Sequence, residues 1–253
     1  MPINYARSLT GHRRTVSANR HLGFALAFVA GATNAGGFLA VKQYTSHMSG
    51  IVSTLADNLA LGGYELALDA AGAVLCFLLG AASTAVMVNY MRRHRLYSEY
   101  ALPLLLEAAL LLVFGVLGAR LQHVPGLFVP ATVMLLCFIM GLQNALVTKL
   151  SHAEIRTTHV TGTVTDIGIE LGKLMYWNVD RSKPIVTADR ERLAVLGGLL
   201  LCFLGGGVAG AIGFKHLGFI STVPLAVLLA LLAIVPTLDD LLRAVARTRR
   251  QAR

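Results

Sequence analysis

Long stretches without charge dominate this sequence and leave it few possible folds. Five of them have about twenty residues or more, and they cover residues 22–41, 70–91, 121–148, 193–214 and 217–238. A sixth, residues 100–119, carries only one charged residue, Glu107. A helix of about 20 apolar residues crosses a hydrocarbon core of about 30 Å. Because a soluble domain has little use for six such segments, the sequence predicts an all-α, multi-pass membrane protein.

The net charge of +9 is concentrated at the ends of the apolar stretches. Basic residues cluster at residues 1–20, 92–95, 173–192 and 243–253. Lys and Arg in this arrangement mark the cytoplasmic side and attract anionic lipid head groups. The pattern therefore predicts an inner-membrane protein with cytoplasmic termini in contact with anionic lipids, and it argues against nucleic acid as a partner.

A polar hexapeptide occurs twice between apolar segments. Both copies have the order hydroxyl, hydroxyl, His, Met or Val, hydroxyl, Gly, and each follows a Gly-x-x-Asn signature that ends at Asn34 or Asn144. The first copy is Thr45, Ser46, His47, Met48, Ser49 and Gly50, and the second is Thr157, Thr158, His159, Val160, Thr161 and Gly162. Polar groups at this depth are costly to bury unless they are paired. The two copies are therefore the first candidates for a functional site.

The duplication predicts two homologous halves, residues 20–122 and 126–240, between a basic N-terminal segment (1–20) and a basic tail (241–253). In each half the motif precedes a short apolar piece, residues 51–61 or 163–171, and a later span repeats Leu-Cys-Phe-Leu at 75–78 and 201–204. If the short pieces do not cross, each half has three spans and the halves are inverted. Every basic cluster is then cytoplasmic, as the positive-inside rule requires.

If the short pieces do cross, the protein has eight spans in parallel halves. Residues 92–95 would then face outward, against the positive-inside rule. We therefore expect an inverted 3+3 bundle with a short re-entrant half-helix after each motif.

The motifs resemble those of a known family. Gly31-x-x-Asn34, the first hexapeptide, Gly141-Leu-Gln-Asn144 and the stretch from Arg156 to Asp166 are similar to the YoaK family of uncharacterised multi-pass bacterial membrane proteins. The similarity covers about residues 20–240. It implies an inner-membrane protein but supplies no substrate, reaction or catalytic residue.

The motifs themselves favour a binding site for a small solute or ion. Hydroxyl groups ahead of a short helix can cap its free N–H groups, and helix ends inside a bilayer form the substrate sites of many secondary transporters. The predicted site consists of the hydroxyl, His and Gly residues of the two motifs together with Asn34 and Asn144. The motif residues are Thr45, Ser46, His47, Ser49, Gly50, Thr157, Thr158, His159, Thr161 and Gly162. The alternative is a structural or accessory membrane protein whose motifs only stabilise the fold.

Three acidic residues are candidates for proton coupling, because ionisable groups in membrane segments are rare. They are Glu107, Asp57 and Asp166. Glu107 can equally be a buried acid bonded to a neighbouring helix. No zinc-ligand spacing, P-loop or nucleophile motif is present in the sequence, so we expect no metal, no cofactor and no enzymatic activity. A homo-oligomer is compatible with the sequence.

Overall fold

The structure is a computed structural model that describes residues 16–94, 99–121, 125–150, 157–179 and 184–251. Within these residues it contains helices and no strand, so the predicted all-α class is confirmed. Arg95, Arg156 and most of the N-terminal basic segment lie outside the described residues. The helices are α1 (Val16–Val41), α2 (Met48–Leu61), α3 (Tyr64–Arg93), α4 (Ala101–Leu121), α5 (Pro125–Leu150), α6 (Val160–Met175), α7 (Arg190–Leu217), a 3-10 turn (Gly218–Ser221) and α8 (Thr222–Gln251).

Five stretches of the described chain are long and apolar enough to cross a membrane. They are Ser17–Val41, Tyr64–Arg93, Ala101–Arg120, Val129–Leu150 and Arg190–Ile234. The last has 45 residues, and a straight helix of that length would extend about 68 Å. It is instead divided between α7 and α8 by the 3-10 turn, where Gly218 has a φ of 63°. Neither α2, with 14 residues, nor α6, with 16 residues, is among these five stretches.

Both short helices begin earlier than their apolar pattern indicated. The predicted start of α2 was residue 51, and the helix begins at Met48. The predicted start of α6 was residue 163, and the helix begins at Val160. The last three residues of each motif form the first helical turn rather than a loop. They are Met48, Ser49 and Gly50 in α2, and Val160, Thr161 and Gly162 in α6. α8 also continues to Gln251, so most of the basic tail is an extension of that helix.

Glycines set the two closest helix crossings. A Cβ on Gly31 in α1 would overlap the carbonyl oxygen of Phe203 in α7, and a Cβ on Gly206 would overlap that of Phe28. The crossing of α3 and α5 has the same contacts, since Gly141 meets the Phe77 carbonyl and Gly80 meets that of Phe138. Small residues let membrane helices pack backbone to backbone in this way.

Contacts along these crossings fix the relative directions of the helices. In the α1–α7 pair, Gly198 meets Phe24 and Gly210 meets Ala32, so the two helices are parallel. In the α3–α5 pair, Thr84 donates a hydrogen bond to the Leu142 carbonyl and Gly72 meets Met134. Because residue numbers rise together in both pairs, α3 and α5 are also parallel.

α1 and α5, by contrast, run antiparallel. The side chain of Gln143 donates to the Leu26 carbonyl at 3.1 Å. The side chain of Asn19 donates to the Leu150 carbonyl at 3.3 Å. The start of α1 therefore lies beside the end of α5, and this pair forms the centre of the bundle.

The glycine contacts predict a sharp difference between two neighbouring residues of α7. Gly206→Ala forces α1 and α7 apart, and overpacking of this kind costs about 1–3 kcal/mol. A Cβ on Gly205 meets nothing within 4 Å. Gly205→Ala should therefore be neutral or slightly stabilising, since Ala is the better helix former. Thermal unfolding in detergent, followed by fluorescence-detected size exclusion, compares the two variants. Equal melting temperatures would contradict the proposed backbone contact.

Candidate functional site

Each motif is tied by a side-chain hydrogen bond to the asparagine of the helix before it. After α1 the chain folds back, and the Ser46 hydroxyl donates to Oδ1 of Asn34 at 2.9 Å. After α5 the Thr158 hydroxyl donates to Oδ1 of Asn144 at 2.7 Å. Each asparagine thus pairs with a side chain of the motif that follows it.

The prediction that motif hydroxyls cap the short helices was wrong. The N-cap residues are His47 for α2 and His159 for α6, and neither makes a side-chain capping bond. The Ser46 and Thr158 hydroxyls instead donate to the asparagines. The first turns of both short helices consequently keep backbone N–H groups without a side-chain acceptor.

The glycine that ends each motif makes room for the histidine ring. A Cβ on Gly50 would overlap the His47 ring, and a Cβ on Gly162 would overlap the His159 ring. Each imidazole therefore lies across the first turn of its own helix. Both rings are exposed rather than packed in the core.

One cavity of about 930 Å³ joins the two motifs. From the first half it is lined by Asn34, Tyr44, Ser46, His47, Met48, Ser49 and Phe77. From the second half it is lined by Asn144, Thr148, Thr158, His159, Val160, Thr161 and Phe203. Every lining residue except Tyr44 and Thr148 has a counterpart at the equivalent position of the other half.

Four of the predicted site residues do not line this cavity. Thr45 and Thr157, the first residues of the motifs, are 0% and 4% exposed, and their hydroxyl oxygens have no hydrogen-bond partner among the described residues. Gly50 and Gly162 lie beneath the histidine rings. The other eight predicted binding residues are brought together, as the duplication suggested.

The three predicted coupling acids lie away from the cavity. Glu107 is fully buried in α4, and neither carboxyl oxygen has a partner in the described part of the chain. Asp166 forms an ion pair with Arg192 at 3.0 Å. Asp57 is exposed on α2. The coupling role of these acids stays a prediction, and it would have to act at a distance from the motifs.

The sequence reasoning missed the aromatic walls of the cavity. Phe77 and Phe203 lie in the repeated Leu-Cys-Phe-Leu segments, from which the sequence predicts only a duplication. Their carbonyls touch the glycines of the facing helices, and their side chains line the cavity. The repeat was therefore a usable signal that these phenylalanines belong to the site.

The far end of α6 is anchored by a buried carboxylate. Glu170 is 1% exposed. It accepts from Lys173 Nζ at 2.8 Å and from the backbone N–H of Asp189 at 2.8 Å. The hydrogen bond from Lys173, followed by that from Asp189, lowers the pKa of Glu170. The bond from Asp189 fastens the end of α6 to the start of α7.

Glu170→Gln should lower the melting temperature at neutral pH, because it removes the charge that these donors stabilise. A lowered pKa means that the stabilisation is complete above the ordinary glutamate pKa of 4.5 and disappears as the pH falls through the folded-state value. The difference in melting temperature between wild type and variant should therefore shrink in acid. Asp57→Asn removes one exposed acid that forms no ion pair with described residues, and it serves as the control. A difference that does not change with pH would contradict the assignment.

Comparison with known proteins places the chain in a family without giving it an activity. No curated protein and no solved structure matches it. Residues 22–235 match the model of the family described as "Protein of unknown function (DUF1275)". This region contains both motifs and almost all of the described bundle, and the match agrees with the resemblance to YoaK. The chain is a member of the DUF1275 family.

Proposed function

We propose that this protein moves a small solute or ion across the bacterial inner membrane and binds it in the cavity between the two motifs. The observation that supports this is that two motifs far apart in sequence, each at the start of a short helix, line one cavity. Helix ends facing a shared cavity are the usual substrate sites of secondary transporters.

Matched contacts support an internal repeat. The hydrogen bonds from Ser46 to Asn34 and from Thr158 to Asn144 correspond. So do the glycine contacts of the α1–α7 and α3–α5 crossings. Each crossing joins a helix of one half to a helix of the other, as expected for two halves related by a pseudo-twofold axis.

The directions of the helices support inverted halves. Because α1 and α5 are antiparallel, the chain must cross the membrane an even number of times between them. α3 and α4 provide two crossings, and a crossing by α2 would make the number odd. The parallel pair α1 and α7 likewise leaves no crossing for α6. The proposed topology therefore has six spans and two re-entrant half-helices.

The hydrogen bonds to the asparagines set the depth of the site. Asn34 lies about two turns, or about 10 Å, before the end of α1 at Val41. Asn144 lies about 9 Å before the end of α5 at Leu150. Each motif therefore begins its half-helix well inside the bilayer. Backbone that is not helical is tolerated at this depth only beside protein or a water-filled cavity.

Two equally exposed positions test the topology. Leu61 at the end of α2 is 84% exposed, and Val179 after α6 is 83% exposed. In a variant without native cysteines, Leu61→Cys and Val179→Cys should react with a membrane-impermeant thiol reagent from opposite sides. Comparing the labelling of intact cells with that of opened cells shows on which side of the membrane each position lies.

Labelling from the same side would mean that both short helices cross, as in the eight-span alternative. The proposed inverted site would then be wrong. Cells that express the variant without any cysteine give the background for both measurements.

The two histidines test the site itself. In proteoliposomes, wild type should raise the permeability to at least one of urea, glycerol, methylammonium chloride and potassium lactate, measured by stopped-flow light scattering. His47→Ala combined with His159→Ala should reduce that rate at least about tenfold, because it removes paired polar groups from the cavity. His216→Ala, at an exposed position of α7 outside the cavity, is the matched control.

An unchanged rate in the double variant would show that the site is elsewhere. The structural alternative predicts a different outcome, in which the double variant yields little folded protein. Size exclusion of the purified variants separates a folded, inactive protein from an unfolded one.

A further inference from the structure

We infer that the cavity binds a small organic anion of the carboxylate class, held by N–H donors of both half-helices and of Asn34. The inference rests on the proposed function for the place of the site and goes beyond it in the chemistry of the ligand. Three features of the cavity support it: free N–H donors, a lining without acidic side chains among the described residues, and apolar walls.

The first turns of the half-helices offer unused donors. The backbone N–H groups of Ser49 in α2 and of Thr161 in α6 have no acceptor among the described residues. The N-terminal end of a helix also carries a partial positive charge and favours an anion. Since Ser49 and Thr161 line the same cavity, two such ends face one volume.

Asn34 adds a donor that is not part of a helix end. Its side chain is only 9% exposed, and its Oδ1 is occupied by the Ser46 hydroxyl. Its Nδ2 group has no acceptor in the described part of the chain, although Asn34 lines the cavity. In the other half, Nδ2 of Asn144 is used by the Met140 carbonyl at 2.9 Å. Asn34 is therefore a nearly buried amide with a free donor directed at the cavity, and a ligand acceptor would satisfy it.

The cavity lacks the groups that a cation needs. Its lining contains no Asp and no Glu among the described residues. Asp166 is paired with Arg192, and Glu107 and Asp57 lie away from the cavity. The carbonyl oxygens of both asparagines already accept hydrogen bonds from the motifs. A cation would find no carboxylate among the described lining residues to balance its charge, whereas an anion finds free N–H donors.

The walls indicate an organic ligand rather than a halide. Phe77, Phe203, Tyr44 and Met48 contribute apolar surface. The volume of about 930 Å³ lies in the range typical of sites for organic molecules, about 300–1,000 Å³. A carboxylate fits both features, because its oxygens accept from N–H groups and its carbon skeleton packs against rings.

Isosteric probes test the inference on the purified, full-length protein. Isothermal titration calorimetry in neutral detergent, at mildly alkaline pH where a carboxylate is ionised, compares sodium benzoate, benzamide, benzylammonium chloride and sodium chloride. Benzoate should bind at least about tenfold more tightly than benzamide. Benzylammonium and chloride should bind more weakly still.

Asn34→Asp places a carboxylate where the free donor was, and it should weaken benzoate binding at least about tenfold. Asn89→Asp is the matched control. Asn89 accepts from Lys149 near the end of α3 and does not line the cavity, so benzoate affinity should not change. If Asn34→Asp does not fold, the comparison of benzoate with benzamide on wild type still decides the question.

Equal affinity for benzoate and benzamide, preference for benzylammonium, or no benzoate binding would overturn the inference. Chloride binding as tight as benzoate would overturn its organic part. Transport of a neutral solute or cation without benzoate binding would refute the anion class and leave the proposed function intact. Benzoate binding without flux of any solute would refute transport and leave the anion site intact.

Discussion

The close backbone contacts at the glycine crossings are the constraint on which the rest of the structure depends. Lipid tails are as apolar as leucine, so membrane helices associate through packing and hydrogen bonds rather than through burial from water. Gly31 and Gly206 bring α1 onto α7, and Gly80 and Gly141 bring α3 onto α5. Each of these contacts joins a helix from residues 20–122 to a helix from residues 126–240. The cavity between the motifs exists because these two pairs hold the halves together.

In the proposed topology each motif and its short helix form a re-entrant segment, and a second constraint is then the cost of free polar groups inside a bilayer. A chain that turns back at mid-depth must satisfy its polar groups with protein or enclosed water. Asn34 and Asn144 do this in part, since each accepts a motif hydroxyl at short distance. The histidines occupy the N-cap positions without capping. The groups left free therefore face the cavity, and the features that cost stability are those that a ligand can use.

Apolar length and a duplicated polar hexapeptide are strong local signals. The sequence therefore predicts the membrane class, the number of helices and the residues of the motifs. The partners within the site could not be predicted. Whether Ser46 caps α2 or donates to Asn34 depends on where the chain folds back, and this is set by contacts distant in sequence. Phe77 was visible as a repeat but not as a wall of the cavity, since its direction depends on the Gly141 crossing. Glu107 gave a strong signal as a lone acid, and its burial away from the motifs follows only from the packing of α4.

The differences between the two halves indicate how a ligand would be oriented, which the matching features cannot do. A ligand on an exact twofold axis would have to be symmetric itself or bind in two orientations. Here Nδ2 is free on Asn34 but used on Asn144, and Met48 corresponds to the smaller Val160. The bond from Asp189 to Glu170 fastens α6 to the start of α7, whereas α2 ends in a glycine turn at Gly62. The proposed carboxylate would therefore have its charged end nearer Asn34 than Asn144.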